Sequence, residues 1–343
     1  MTKTAAPTQL PPLVDQPLAP ELLQQLQQAS ALKKWPLAKL ISLFENRNPD
    51  AAQIRHDIAR HIQQHPQDFP RNARVIGFTG TPGAGKSSLI AELCRKLLTL
   101  NDKIAIAVLA VDPSSQISGG SILGDRTRMH YGKKEERLFF RSQASNLELG
   151  GVSEATFQAT RLLRHLFDLI IIETVGIGQN EVDIQFLTDH TFLVMQPLAG
   201  DQIQFMKSGI MEIPDSFIVN KCDEERLART RYHMLRSSLK QARLVDLHAQ
   251  DDYQNAARDQ IFLTSALKGL GIDTLANAVL NIPQRRTAEH CESCYLRKGV
   301  LRRYGEFGLR ILKHEMNLLD TATTFEEKEL AAFATIQRHI IPR

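Results

Sequence analysis

The stretch of residues 74–89 constrains this chain more than any other. An apolar run leads into a glycine-rich loop at residues 80–87, and a helical pattern follows. The loop has the form G-x-x-x-x-G-K-[ST], which in the order strand, loop, helix is typical of phosphate-binding P-loops. Its glycines let backbone amides point at a phosphate, and the first turn of the helix adds partial positive charge. The stretch therefore predicts a site for nucleotide phosphates.

The residues of this loop have different predicted tasks. We expect Lys86 to reach the β and γ phosphates and the Ser87 hydroxyl to bind Mg²⁺. Backbone amides of the loop and of the first helical turn complete the predicted phosphate contacts, which involve Gly83, Ala84, Gly85, Lys86, Ser87 and Ser88.

Length and charge narrow the class of protein. The 343 residues, 43% of them apolar, suffice for one main domain with helical additions. The net charge of +4 has both signs interspersed, and no basic stripe with interleaved aromatics occurs, so nucleic acid is not a predicted partner. No apolar run approaches the roughly 18 residues of a membrane span, and the start lacks a signal-peptide core, so we expect no membrane association. Four cysteines fit a reducing compartment, which predicts a cytoplasmic location.

Composition and periodicity divide the chain into four predicted segments. Residues 1–20, rich in Pro, Thr and Gln, are predicted to be a flexible tail, and residues 21–72 an N-terminal helical segment whose second helix starts at Pro36. Residues 73–283 carry the P-loop domain, and residues 284–343 form a C-terminal helical arm.

The predicted arm contains two amphipathic helices. Apolar residues at helical spacing begin at Leu296, and a capping box, Thr324-x-x-Glu327, starts the second helix. Two such helices outside a complete α/β domain need a partner surface, so we expect a homodimer, with packing against the same chain as the alternative.

Between residues 74 and 264, apolar runs rich in β-branched residues alternate with helical patterns. This alternation predicts an α/β fold with a doubly wound, mainly parallel sheet of the P-loop type, an N-terminal helical cap and a C-terminal helical dimerisation arm. Ligands of such sheets bind beyond the carboxyl ends of the strands. The predicted strands are residues 75–79, 104–111, 138–141, 169–173, 192–196, 217–220 and 261–264.

Acidic residues at two predicted strand ends suggest a metal site. Asp112 follows the second strand, Glu173 ends a buried strand, and Asp125 lies in the loop between them in sequence. These carboxylates, with Ser87, are the predicted Mg²⁺ ligands, directly or through water. The Gly176 amide is expected to bond the γ-phosphate, and Lys86, Asp112, Glu173 and Gly176 form the predicted catalytic set.

The sequence Asn220-Lys221-Cys222-Asp223 ends another apolar strand and indicates guanine recognition. A carboxylate at Asp223 can accept hydrogen bonds from N1 and N2 of guanine, and adenine has no such pair of donors. Asn220 would brace the loops and Lys221 would lie along the base. The pocket is expected to be closed by the loop of Ser265, Ala266 and Leu267, with the Ala266 amide facing O6. The predicted ligands are therefore GTP or GDP, together with Mg²⁺.

In this order the motifs resemble the MeaB/ArgK family, G-protein metallochaperones of adenosylcobalamin-dependent acyl-CoA mutases. The resemblance runs from about residue 37 to residue 280 and rests on GTPGAGKS at 80–87, VDPSS at 111–115, GGSILGDR at 119–126, ETVGIGQ at 173–179 and NKCD at 220–223. It implies a homodimeric GTPase that gates cofactor loading onto methylmalonyl-CoA mutase or a relative, with residues 196–207 as the loop that senses the mutase. Residues 141–146 lack an expected Arg-Pro-Ser stretch, and the C-terminal segment lacks the family's tryptophans, so the chain resembles a divergent member.

Two alternatives remain open at this level. The run His290-Cys291-x-x-Cys294 fits a nickel-type metallochaperone GTPase only if two chains combine their thiols, because a structural site needs four ligands. A nucleotide-bound scaffold without relevant turnover is the other. Ile177 stands where a water-orienting Gln is expected, which predicts slow hydrolysis without a partner unless a partner reshapes the loop around Gln179.

Overall fold

The computed structural model of this chain describes residues 12–46, 48–112, 135–144, 152–174, 181–196, 214–241, 260–315 and 322–340. The chain divides into two compact units. We call one the sheet unit, Asn72–Thr156 with Phe167–Arg286. We call the other the helical unit, Met1–Arg71 with Phe157–Leu166 and Thr287–Arg343.

The described residues form seven strands and a set of helices. The strands are β1 (Arg74–Gly80), β2 (Ile106–Asp112), β3 (Leu138–Ala144), β4 (Leu169–Glu173), β5 (His190–Met195), β6 (Ser216–Val219) and β7 (Ile261–Leu263). The α-helices are α1 (Pro20–Ser30), α2 (Lys34–Glu45), α3 (Pro49–Gln64), α4 (Lys86–Leu100), α5 (Glu154–Arg164), α6 (Glu225–Gln241), α7 (Ile272–Asn281), α8 (Ala288–His314) and α9 (Phe325–Ile340), and a 3₁₀ helix spans Glu181–Phe186. Each predicted strand coincides with an observed one, and the ends differ by at most three residues.

All seven strands pair in parallel, in the order β3-β2-β4-β1-β5-β6-β7. The strand runs have the continuous apolar character of a sheet buried on both faces, and every residue of β4 is buried. The parallel, doubly wound α/β prediction is therefore confirmed.

The centre of the sheet determines where the loops meet. β4 lies between β1 and β2, with Glu173 in register with Phe78 on one side and Ala110 on the other. β5 pairs with the opposite edge of β1. The chain thus continues to opposite sides of β1, and in such sheets the crevice at this reversal, beyond the carboxyl ends, binds ligands.

Helix α4 is anchored to the sheet unit's core by one apolar stripe. Leu89, Leu93 and Leu97 are fully buried together with Cys94 and strand residues such as Ile76. The stripe holds the first turn of α4 directly after the glycine-rich loop. Cys94 is thus a core residue, as its place in the helical pattern predicted.

The two C-terminal helices pack within the helical unit of the same chain. α9 contacts α8 and α3, and Gln63 Nε2 donates to the Thr323 carbonyl at 3.0 Å. The predicted capping box is present: the Glu327 amide donates to Thr324 Oγ1 at 3.3 Å, and the Thr324 amide donates to Glu327 Oε2 at 3.1 Å. One chain therefore supplies a surface for these helices, and dimerisation through them stays a prediction.

Two N-terminal expectations need adjustment. α2 begins at Lys34, so the predicted start at Pro36 was wrong by two residues, and the proline lies within the first turn, where a missing N–H costs no helical bond. Part of the predicted tail contacts α3: the Val14 amide donates to Gln53 Oε1 at 2.9 Å, and Gln53 Nε2 donates to the Val14 carbonyl at 2.8 Å. Residues 1–11 lie outside the described residues. Among the described helices, none combines the length and the apolar character that crossing a bilayer requires.

Candidate nucleotide site

The glycine-rich loop joins β1 to α4 through backbone shapes that other residues would strain. Gly80 has φ +140°, and a Cβ there would lie 2.0 Å from the Val194 carbonyl oxygen. Gly85 has φ +82°, and its Cβ would lie 2.7 Å from Asn220 Nδ2. Both positions therefore require glycine, because the loop passes directly over β5 and over the residue that follows β6.

Lys86 is the first residue of α4 and folds back over the loop. Its Nζ donates to the Gly80 carbonyl at 2.8 Å and to the Thr81 carbonyl at 3.3 Å. The residue is only 7% exposed. The ammonium group is thus held inside the loop, where phosphates would need a positive charge.

A hydroxyl and a carboxylate face each other beside this loop. Ser87 Oγ, on the first turn of α4, donates to Glu173 Oε1 at 2.8 Å. Glu173 is 7% exposed at the carboxyl end of β4. Its position next to the loop is secured by Thr174, whose amide donates to the Phe78 carbonyl at 3.0 Å and whose Oγ1 donates to Thr79 Oγ1 at 3.0 Å. Hard oxygen donors of this kind suit Mg²⁺, so the residues present fit the ion.

Asn220 connects the phosphate loop to the loop after β7. Its Nδ2 donates to the Ala84 carbonyl at 3.0 Å and to the Gly85 carbonyl at 3.4 Å. Its Oδ1 accepts from Thr264 Oγ1 at 3.2 Å and from the Ala266 amide at 3.3 Å. The bracing role expected of Asn220 is the arrangement seen here. The Ala266 amide, predicted to face guanine O6, instead points at Asn220 in this structure, through a long bond.

Asp223 is positioned by the loop after β7. Ser265 Oγ donates to Asp223 Oδ1 at 2.6 Å, and Lys268 Nζ donates to the Asp223 carbonyl at 2.8 Å. Leu267, in the same loop, is 88% exposed. The carboxylate is thus oriented by one bond to Oδ1, next to an exposed apolar side chain on which a flat base could lie.

Lys221 and Cys222 complete this side of the site. Lys221 has a left-handed backbone (φ +61°), and its exposed side chain donates from Nζ to Gln196 Oε1 at 3.1 Å. Burial raises the pKa of the Cys222 thiol to about 11. Cys222 is therefore a neutral packing group, and the structure adds no chemical task to it.

Several predicted residues fall wholly or partly outside the described residues. Asp112 is the last residue of β2, two strands away from β1, and only its backbone is described. Asp125, Gly176, Ile177, Gln179 and residues 197–207 of the predicted mutase-sensing loop are not among the described residues. Gly83 and Ser88 lie exposed at the loop and the first turn of α4, and Ala84 is buried beneath the loop.

Sequence reasoning missed three supporting residues: Gln196, Thr174 and the side chain of Lys268. Each makes a hydrogen bond to a neighbouring strand end or loop. The only signal in the sequence was their position directly after, or shortly beyond, a predicted strand.

The cysteine pair does not build a metal site within the described residues of one chain. Cys291 is 2% exposed, and its Sγ accepts from Arg164 Nη2 at 3.6 Å. Cys294 Sγ lies 3.6 Å from His290 Nε2. Within the described ranges, the ligand atoms of three metal-binding side chains come within 4.8 Å of one another only at Asp15, His56 and Glu327.

Comparison with known proteins agrees with the motif order. The family model described as methylmalonyl Co-A mutase-associated GTPase MeaB matches residues 37–295. GTPase ArgK of Escherichia coli is 31% identical over 280 residues, which cover 80% of this chain and 79% of ArgK. A protein of Caenorhabditis elegans named methylmalonic aciduria type A homolog, mitochondrial, is 34% identical over 224 residues, 63% of this chain and 55% of that protein.

Other matches add limits and support for the fold. Two proteins named as GTPases, from Pyrococcus horikoshii and Pyrococcus abyssi, are 41% and 39% identical, and the matches span only 61% and 58% of their lengths. A crystal structure of an LAO/AO transport system kinase superposes with TM-score 0.60 at 20% identity, covering 96% of this chain and 99% of that one. This likeness supports the fold. From the match to the family model, the chain belongs to the MeaB family of methylmalonyl-CoA mutase-associated GTPases.

Proposed function

We propose that this chain binds GTP with Mg²⁺, hydrolyses it slowly on its own, and reports its nucleotide state to an adenosylcobalamin-dependent acyl-CoA mutase. One observation carries the nucleotide part of the proposal. Asn220 holds the phosphate loop and the loop after β7 together, which places Asp223 and the phosphate-binding residues in one crevice.

Asp223 is the group that would select guanine. Its carboxylate accepts hydrogen bonds from the N1–H and N2–H₂ donors of that base, and the Ser265 bond to Oδ1 fixes its orientation. Adenine leaves the carboxylate without donors, and a buried acceptor left unpaired can discriminate by about 10⁴-fold or more. The exposed Leu267 side chain would cover one face of the base. The long bond from the Ala266 amide to Asn220 can be exchanged for guanine O6.

Lys86, Ser87 and Glu173 would handle the phosphates and the metal. Nζ of Lys86 exchanges the carbonyls of Gly80 and Thr81 for phosphate oxygens, so its charge stabilises the phosphoryl group that is transferred to water. Ser87 Oγ and Glu173 would hold Mg²⁺ directly or through its waters. When bound, Mg²⁺ bridges phosphate oxygens and offsets their charge. The loop amides and the first turn of α4 complete the anion site.

The mutase link rests on family membership and on the printed description of that family. Methylmalonyl-CoA mutase or a related acyl-CoA mutase is the proposed partner, with the loop of residues 196–207 and the Gly176 region as the proposed sensors. We also propose a homodimer and a cytoplasmic location. The four cysteines, all free thiols, support a reducing compartment.

Replacing Asp223 by Asn tests the guanine assignment. The new amide group would offer a donor where guanine also has donors, so GTP affinity should fall by about 10²-fold or more. The same amide can donate to the C2 carbonyl of xanthine, so XTP should bind more tightly than it binds the native protein. Calorimetric titration with GTP, XTP and ATP measures all three affinities.

Asp273→Asn is the matched control, because Asp273 is an exposed carboxylate of the sheet unit that pairs with Lys96. It should bind all three nucleotides as the native protein does. An Asp223→Asn variant that stays strict for GTP would refute the guanine assignment.

Turnover separates a GTPase switch from a passive scaffold. We expect GTP hydrolysis by the purified protein to be slow and to rise when its mutase is added. A rate that does not respond to any adenosylcobalamin-dependent acyl-CoA mutase of the same cell would favour the scaffold.

A further inference from the structure

We propose a second metal site, in the helical unit, that binds a divalent cation of the Zn²⁺ class through Asp15, His56 and Glu327. One ligand atom from each of these residues lies within 4.8 Å of the other two. His56 Nε2 is 3.4 Å from Asp15 Oδ1, and His56 Nδ1 is 3.9 Å from Glu327 Oε1. The site belongs to the helical unit and is separate from the Ser87 and Glu173 pair of the sheet unit.

His56 is the residue that points to a cation. Its side chain is 1% exposed, and Nε2 makes no hydrogen bond among the described residues. Buried polar atoms rarely lack a hydrogen-bond partner. This nitrogen faces a carboxylate but does not form a hydrogen bond with it, which is the arrangement expected where an ion should lie between the two.

The other ring nitrogen of His56 has the support that metal-binding histidines have. Nδ1 lies 2.9 Å from Thr324 Oγ1. With a metal on Nε2, Nδ1 carries the proton and donates it to this hydroxyl, which fixes the tautomer and the ring orientation. The Glu327 amide also donates to Thr324 Oγ1, at 3.3 Å, so the hydroxyl is itself held in place.

The two carboxylates are suitably placed and charged. Glu327 Oε2 accepts from the amides of Thr323 and Thr324 at 2.6 and 3.1 Å, which leaves Oε1 toward His56. Burial tends to raise the pKa of Glu327, but these hydrogen bonds outweigh it and the pKa is lowered, so the group is ionised at neutral pH. Arg60 contacts Asp15 Oδ1. With a neutral His56, the two carboxylates and Arg60 leave one net negative charge to attract a cation.

The ligand types and spacing favour Zn²⁺ over Mg²⁺. An imidazole nitrogen suits Zn²⁺ and its neighbours, whereas Mg²⁺ takes oxygen ligands almost only. Ligand atoms in a tetrahedral Zn²⁺ site are about 3.3–3.6 Å apart, given bonds of about 2.0–2.2 Å. The distance from His56 Nε2 to Asp15 Oδ1 already falls in that range, and Glu327 reaches it by rotating its carboxylate. Asp15 is 62% exposed, which gives the ion an entry path from solvent.

A metal here would join three segments that are distant in sequence. Asp15 precedes α1, His56 lies on α3 and Glu327 lies on the first turn of α9. Binding to the folded state alone raises its stability in proportion to the logarithm of metal concentration. The proposed role is therefore structural, as a link between the N-terminal segment and the C-terminal arm.

Zinc titration of the full-length protein tests the proposal. The protein is stripped with a chelator, exchanged into chelator-free buffer with excess Mg²⁺ and no nucleotide, and titrated with Zn²⁺ by calorimetry and by thermal unfolding. We expect one Zn²⁺ per chain and a higher Tm with Zn²⁺. Asp15→Asn should weaken Zn²⁺ binding by about tenfold or more, because it removes a direct ligand. It should leave the metal-free Tm almost unchanged, because Asp15 is exposed.

Two control variants distinguish this site from other metal binding. Glu306→Gln removes an exposed carboxylate from the same unit and should bind Zn²⁺ as the native protein does. The double variant Cys291→Ser, Cys294→Ser should also retain the bound ion. The proposal is overturned if Zn²⁺ gives neither heat nor a Tm shift, if Asp15→Asn binds as tightly as the native protein, or if the ion is lost with the cysteines.

Discussion

The two units hold their polar side chains in different ways. In the sheet unit, the side chains of the nucleotide site are fixed mainly by backbone groups of tight loops: Lys86 by two carbonyls and Asn220 by two carbonyls and an amide. In the helical unit, buried charges pair with one another. Arg161 donates to Glu326 at 2.7 Å and to Glu292 at 3.3 Å, and Arg55 donates to Glu326 at 3.2 Å.

This difference indicates which part of the molecule is arranged for a ligand. Loop carbonyls can release a lysine to a phosphate at little cost, because they face an open crevice. The charges of the helical unit are satisfied within the chain: burial tends to raise the pKa of Glu326, but Arg161 and Arg55 outweigh it and the pKa is lowered. We therefore expect substitutions in the first unit to reduce binding, and substitutions in the second to reduce stability.

The largest expected effect on stability comes from Glu326→Gln. The substitution leaves Arg161 and Arg55 buried without their shared carboxylate, and breaking a buried ion pair costs about 3–5 kcal/mol. The Arg161 guanidinium would keep its position 4.8 Å from the centre of the Phe325 ring but lose its main charge partner. Urea unfolding at neutral pH should show the loss, and GTP affinity should stay unchanged.

Glu225→Gln is the control for this substitution. Glu225 pairs with Arg229 on the surface of α6, with both side chains more than half exposed. Its loss should cost less than about 0.5 kcal/mol. If Glu326→Gln were no more destabilising than Glu225→Gln, the contrast between the two units would not hold.

Lys86→Ala is the matching change in the sheet unit. Removing a charge that is buried against a phosphate costs about 2–5 kcal/mol of binding free energy. GTP affinity measured by calorimetry should fall accordingly, while the free energy of unfolding without nucleotide changes little. Lys96→Ala, farther along α4 and paired with Asp273 on the surface, should leave affinity unchanged. Native-like GTP binding by Lys86→Ala would contradict the assignment of the phosphate loop.

The sequence predicted the nucleotide side well, because its signals are local. Glycines at positions with positive φ, a lysine after them and an Asn-Lys-x-Asp run after a strand each specify a loop shape or a chemical task. Parallel strands bring these loops to one edge, so even the bond from Asn220 to Ala84, 136 residues apart, followed from motif order.

The helical unit could not be predicted in the same way. Periodicity showed that α8 and α9 have apolar faces, but it carries no information on which surface covers them, and α3 of the same chain contacts α9. Arg161 has the sequence context of an ordinary charged residue of a helix, and nothing local pairs it with Glu292 or Glu326, which are 131 and 165 residues away. A linear division of the chain also does not show that Phe157–Leu166 group with the helical unit.

The smallest predicted effect is a pH dependence of stability due to His165 in the helical unit. Burial, with the nearby Arg161 and Arg164, lowers the pKa of His165 from 6.5 to about 4. The unfolded chain therefore takes up a proton between these values that the folded chain does not, so stability is complete above pH 6.5 and is lost as pH falls toward 4. From pH 7 to pH 5 the loss is about 2 kcal/mol. Urea unfolding should show this slope reduced by that amount in His165→Gln, and unreduced in His314→Gln, where the ring is exposed. An equal slope in all three proteins would mean that the buried charges of the helical unit leave His165 free to ionise, and the sharp contrast with the sheet unit would be weakened.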